Sequence, residues 1–182
     1  LKIDSSFVTQ LNSEFPNSVT IDLVNGDMGQ TNNPNLRDTF KDIENVTFEG
    51  DYDVIITGDG NDNIIKSDSG NDYLYGGDGN DILKPGAGDD YVYGEDGDDT
   101  IIQNGSGTQY YNGGEDVDTY VLDLESENWP FEFPDDFIVE VNLLTGFSGF
   151  HLDHNHPLND TVVNMENITL RGDFDSVIIG DS

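Results

Sequence analysis

The sequence predicts an all-β fold, a right-handed parallel β-roll with strand-forming flanks on either side, and three observations predict it. A turn rich in Gly and Asp recurs every nine or ten residues from Phe48 to Val121. An apolar residue follows each turn at a fixed place, and the chain holds 21 glycines, which favour tight turns and disfavour helix. Six turn residues followed by three strand residues are too few for a helix, so the chain must coil as turn, strand, turn, strand.

Residues 1–47 form the first element, a β flank or cap. Val19, Ile21 and Leu23 alternate with other residues, the period of a strand with one buried face. The segment Glu44-Asn45-Val46-Thr47 then leads into the first turn.

Residues 48–121 form the roll, whose unit is clearest in Gly76-Gly77-Asp78-Gly79-Asn80-Asp81-Ile82-Leu83-Lys84. Aligned on the sixth position, the units carry Asp53, Asp62, Asp72, Asp81, Asp90, Asp99, Gln109 and Asp118. The fourth position is Gly60, Gly70, Gly79, Gly88, Gly97 and Gly107, with Asp51 and Asp116 in the end units. The eighth position, expected to face inward, is Ile55, Ile64, Leu74, Leu83, Val92, Ile101, Tyr111 and Tyr120. The ten-residue steps are expected to place one extra residue at Lys66 and at Gln103.

Two units make one turn of a solenoid, so alternate units stack in parallel at roughly 4.8 Å and eight units give four rungs per sheet. Beside the inward positions, Val54/Ile56, Tyr73/Tyr75, Tyr91/Tyr93 and Tyr110/Asn112 are expected to point outward from one sheet, where the tyrosines make two ladders. Asn63/Ile65, Ile82/Lys84, Thr100/Ile102 and Thr119/Val121 are expected to do so from the other.

Stacking also puts Asp62, Asp81, Asp99 and Asp118 in one column, and Asp53, Asp72, Asp90 and Gln109 in a second. Carboxylates within about 5 Å repel unless a cation lies between them, and converging turn carbonyls complete an oxygen cage that suits Ca²⁺. Gaps with Asp on both sides number about five, and the neutral Gln109 weakens a sixth. Asp59, Gly76, Asp78, Gly94 and Asp96 in the turns complete the candidate ligand set. At ten times the dissociation constant each site adds about 1.4 kcal/mol, so five contribute on the order of 7 kcal/mol.

This register resembles that of the RTX family, the repeats-in-toxin, whose consensus is Gly-Gly-x-Gly-x-Asp-x-aliphatic-x. The units opening at 57, 76, 85 and 94 hold Gly at two of the turn positions, Asp at the sixth and an aliphatic residue at the eighth, apart from Glu95 at the second position of the last. The resemblance implies a parallel β-roll with calcium between turns, held by the position-six Asp and backbone carbonyls. It also implies type I secretion and folding on external calcium.

Residues 122–182 read as a linking region that closes this roll and opens another. Ile43-Glu44-Asn45-Val46-Thr47-Phe48-Glu49-Gly50-Asp51-Tyr52-Asp53 recurs 122 residues later as Met165-Glu166-Asn167-Ile168-Thr169-Leu170-Arg171-Gly172-Asp173-Phe174-Asp175. Upstream, Ile21 to Gly26 parallels Val141 to Gly146. The chain thus reads as a unit of about 120 residues plus part of a second, with tandem neighbours or head-to-tail self-association as expected partners. Its opening on Leu1-Lys2-Ile3 reads as internal to a longer protein.

Thirty-eight Asp and Glu against six Lys and Arg give a net charge of −32, which excludes nucleic acid and anionic membrane as partners and invites cations. There is no cysteine, so disulfides and thiolate metal sites are excluded. No catalytic signature occurs, neither His-Glu-x-x-His nor Gly-x-Ser-x-Gly nor a phosphate loop. His151, His154 and His156, beside Asp153, form a cluster better read as a solvated loop than as a zinc site. The expected function is a non-enzymatic calcium-binding structural module of a secreted or cell-surface repeat protein. Glycan recognition or adhesion at the tyrosine face and a secretion appendage of an exported enzyme are the alternatives.

Overall fold

A computed structural model of the chain describes residues 2–4, 18–30, 33–125, 138–144, 146–151, 159–172 and 175–179, strands joined by turns, bends and irregular segments. The first flank holds β1 (Lys2–Asp4), β2 (Ser18–Asp22), β3 (Asp27–Gln30), β4 (Asn33–Thr39) and β5 (Asn45–Glu49). The roll follows with β6 (Asp53–Thr57), β7 (Ile64–Lys66), β8 (Tyr73–Asp78), β9 (Ile82–Lys84), β10 (Tyr91–Asp96), β11 (Thr100–Gln103), β12 (Tyr110–Glu115) and β13 (Thr119–Asp123). The second flank adds β14 (Ile138–Asn142), β15 (Phe147–His151), β16 (Asn159–Val163), β17 (Asn167–Arg171) and β18 (Asp175–Ile179).

Alternate strands stack as the nine-residue beat requires. One sheet runs β1-β5-β7-β9-β11-β13-β17, parallel throughout, and the other runs β18-β14-β15-β16-β12-β10-β8-β6-β2-β3-β4. The repeat contributes four rungs to each sheet, as expected from eight units. The central rungs β6 to β12 are parallel, whereas β2-β3-β4 and β14-β15-β16 are antiparallel meanders that flank the roll.

The core lies between the sheets. Leu74, Leu83, Val92, Ile101, Tyr111 and Tyr120 are fully buried there, as the eighth position predicts. Val19 and Ile21 in β2, and Leu23 just past its end, extend this core, so the alternating flank is a one-face-buried strand.

The first two units depart from the expected register. Ile56 and Ile65, not Ile55 and Ile64, enter the core, and Val54 is buried where an outward side chain was expected. Ile64 pairs with Ile82, and Lys66 pairs with Lys84, so no extra residue falls at Lys66. From Ile56 to Ile101 the inward spacing is an unbroken nine. The ten-residue step near Gln103 is real, since β10 and β12 pair with an offset of 19. Val121 is also buried rather than outward.

The tyrosine ladders form as expected on the outer face of the second sheet. Tyr73 stacks on Tyr91 with centroids 4.9 Å apart, and Tyr75 on Tyr93 at 5.2 Å, the rings of each pair nearly parallel. Tyr110 tilts against Tyr91 and Tyr93. The aromatic residues Trp129, Phe131, Phe133 and Phe137 of the linking region lie outside the described residues, as do His154, His156 and the side chain of His151.

The longer repeat is structural as well as sequential. Asp42 and Asn164 share a left-handed backbone with φ of 54° and 52°, and Gly26 and Gly146 share another at 65° and 70°. The bond from Phe40 N–H to the Gly26 carbonyl recurs from Val162 N–H to Gly146, both 2.8 Å. β18 pairs with β14 as β6 pairs with β2.

Candidate metal centre

The stacked turns bring side-chain oxygens to the backbone in two inner columns. In the first, the N–H groups of Asn63, Asp81 and Asp99 donate to Oδ1 of Asp81, Asp99 and Asp118 at 2.7, 2.8 and 2.9 Å. In the second, the N–H groups of Val54, Asp72 and Asp90 donate to Asp72 Oδ1, Asp90 Oδ1 and Gln109 Oε1 at 2.9, 2.9 and 2.8 Å. Each inner acid therefore uses one oxygen to tie its rung to the preceding one.

The other oxygen has no protein partner. Oδ2 of Asp72, Asp81, Asp90, Asp99 and Asp118 is buried without a hydrogen bond, and all five residues are at most 1% exposed. A buried carboxylate oxygen left unpaired is costly, so such atoms call for a cation or a proton. Burial is the main cause that pushes Asp72 up to about 8, Asp90 and Asp99 to about 7, and Asp81 and Asp118 to about 6. Neighbouring carboxylates add to it, Asp90 and Asp53 acting on Asp72, and Asp81 and Asp118 acting on Asp99.

Glycine at the head of the unit keeps space open beside the first column. A Cβ on Gly76 would lie 2.3 Å from Asp81 Oδ2 and 2.5 Å from the Gly94 carbonyl. On Gly94 it would lie 2.1 Å from Asp99 Oδ2 and 2.2 Å from the Gly113 carbonyl. Carboxylate and carbonyl oxygens thus converge on a place that any side chain would fill, a donor set suited to a hard cation. The second column differs, because Ser67 and Pro85 stand where Gly58 and Gly76 stand in the first, and the Ser67 hydroxyl donates to the Pro85 carbonyl at 2.7 Å.

Of the expected ligands, Asp72, Asp81, Asp90, Asp99 and Asp118 line these columns, and Gly76 and Gly94 border the first. The structure places Asp53 and Asp62 one residue outside, exposed, with Val54 and Asn63 in the inner positions. They head an outer ladder instead, accepting from the N–H groups of Asn71 and Asn80 at 2.8 and 2.9 Å. Asp59 accepts from the Asn61 N–H at 3.0 Å and from the side chain of the inner Asn63 at 3.2 Å, and its charge helps to raise Asp81. Asp78 and Asp96 are exposed and pair in register on the second sheet.

Two acids from beyond the repeat complete the columns. Glu166 Oε2 accepts from Asp118 N–H at 2.8 Å, and Asp160 Oδ1 accepts from Gln109 N–H at 2.9 Å. Asp160 is 2% exposed and is raised to about 7, mainly by burial. Its second oxygen takes a 2.6 Å bond from Gln103 Nε2, and the Gln103 amide oxygen accepts from the Tyr120 hydroxyl. The sequence signal for Glu166 was its match to Glu44; nothing local marked its meeting with Asp118.

Residues 49–74, 57–92 and 66–101 match the family model of the RTX calcium-binding nonapeptide repeat. This repeat segment belongs to that family, and the chain carries a calcium-binding repeat module built as a parallel β-roll. No curated protein matches the chain. Among the described residues no helix is long and apolar enough to cross a membrane.

Proposed function

We propose that the chain is a structural link, folded by calcium, in a secreted or cell-surface tandem-repeat protein. The observation that carries this reading is the set of five buried, unpartnered aspartate oxygens aligned in two columns. Asp81, Asp99 and Asp118, with the Gly94 and Gly113 carbonyls, would hold ions in the first column, and Asp72 and Asp90 in the second. Bound calcium supplies the positive charge that lets these acids stay ionised while buried. Without it, the acids and a net charge of −32 oppose compaction. The recurrence of strand order and left-handed turns in the second flank supports a role as one unit among neighbours. Far-UV circular dichroism is expected to show β structure in millimolar calcium and its loss at neutral pH in excess chelator. Equal β content in the two conditions rejects the reading.

A further inference from the structure

The turn at Asn164, Met165 and Glu166 lies outside the nonapeptide repeat, yet it reproduces what a nonapeptide turn offers to the first column. Within the column, the carbonyl facing Gly76 comes from Gly94 and the one facing Gly94 comes from Gly113. The next in line comes from Asn164, 2.0 Å from where a Cβ on Gly113 would stand, with Asp118 Oδ2 at 2.3 Å from the same point. The carboxylate succession continues in step, because Asp118 N–H bonds Glu166 as Asp99 N–H bonds Asp118. In the repeat, carbonyl and carboxylate are separated by five residues, Gly113 to Asp118, but here by only two, Asn164 to Glu166. The longer Glu side chain and the left-handed backbone at Asn164, φ 52°, accompany the shorter turn.

We propose that Asp118, the Asn164 carbonyl and Glu166 form a calcium site that fastens the closing segment to the last rung of the roll. The second observation beside these acids is Asp118 Oδ2, wholly buried, without a partner and adjacent to the Asn164 carbonyl. Glu166 is exposed, so water completes the oxygen shell of six to eight that calcium takes. The ion joins strands distant in sequence. Around it, Asn167 N–H donates to the Asp118 carbonyl at 2.9 Å and β17 pairs along the whole of β13. Met165 packs into the core beside it, 6% exposed.

The site rests on the reading that the roll binds calcium, and the experiment separates the two. The full chain and its Glu166→Gln variant are titrated with calcium alone, counting bound ions by native mass spectrometry and following amide exchange in β17. Glu166→Gln keeps an acceptor for Asp118 N–H and removes only the charge. It is expected to bind one ion fewer, and to need about tenfold more calcium to protect the Asn167 and Leu124 amides, while the inner rungs stay protected. Glu44→Gln, at the matching place in the first flank, keeps the full count. Should Glu166→Gln fail to fold, Glu166→Asp, which withdraws the carboxylate by one methylene, is expected to show the same loss. An unchanged count and unchanged β17 protection overturn the site. A wild-type chain that binds no calcium overturns the underlying reading instead.

Discussion

Each inner aspartate carries two oxygens with different roles, and Asp99 shows how they separate. Its Oδ1 accepts the Asp81 N–H and would keep doing so as an amide, whereas its unpartnered Oδ2 carries charge beside the Gly113 carbonyl. Asp99→Asn therefore preserves the rung-to-rung bond and removes the attraction for a cation in the two gaps that Asp99 borders. In calcium at about ten times the dissociation constant, losing two sites is expected to cost about 3 kcal/mol. In chelator the sign reverses, because the substitution removes a carboxylate that burial penalises. Thermal unfolding in calcium, and the pH at which β structure returns in chelator, check this; a lower midpoint in calcium together with a return of β structure only at lower pH in chelator would show that Asp99 acts through packing alone.

At the scale of single strands, register decides which residues meet. The unit Gly58 to Lys66 contains Asp62-Asn63-Ile64-Ile65, where two polar residues precede two apolar ones. The rule that an apolar residue stands two places after Asp is satisfied by Ile64, and a one-residue slip satisfies Ile65 equally well. Strand pairing resolves the choice, since Ile64 is held opposite Ile82 and Ile65 opposite Leu83. Ile65→Ala is therefore expected to cost about 2–5 kcal/mol, and Ile64→Ala less than about 1 kcal/mol, in calcium-loaded denaturation. The reverse order would restore the register read from Asp spacing. The alternation of sheets, the parallel stacking and the five inner aspartates from Asp72 to Asp118 were legible because a fixed period determines them. The shift at Asp53 and Asp62 was hidden by a doubled apolar residue. Asp160 and Glu166 were hidden because pairing across about 50 residues brings them to Gln109 and Asp118.

For the whole molecule, the buried acids couple stability to pH, and calcium inverts the direction of that coupling. Without calcium, burial holds Asp72 up to about 8, Asp90, Asp99 and Asp160 at about 7, and Asp81 and Asp118 at about 6, against an ordinary value of 3.8. The folded chain then binds more protons than the unfolded chain between these limits, so its stability falls as pH rises. The contribution is fully present below pH 3.8 and is lost as pH climbs through 6 to 8. Acid also discharges part of the net −32, which acts in the same direction. On the proposed reading, calcium at Asp72, Asp81, Asp90, Asp99 and Asp118 would hold those carboxylates ionised, so protons would compete with calcium and stability would fall on acidification instead. In chelator, β structure seen by far-UV circular dichroism is expected to return as pH falls from 8 to 5, whereas melting midpoints at fixed, subsaturating calcium are expected to fall over the same range. A chelated chain with no more β structure at pH 5 than at pH 8 would show that proton uptake by the inner columns does not govern folding. Parallel trends with and without calcium would show that the ions bind elsewhere than at Asp72, Asp81, Asp90, Asp99 and Asp118.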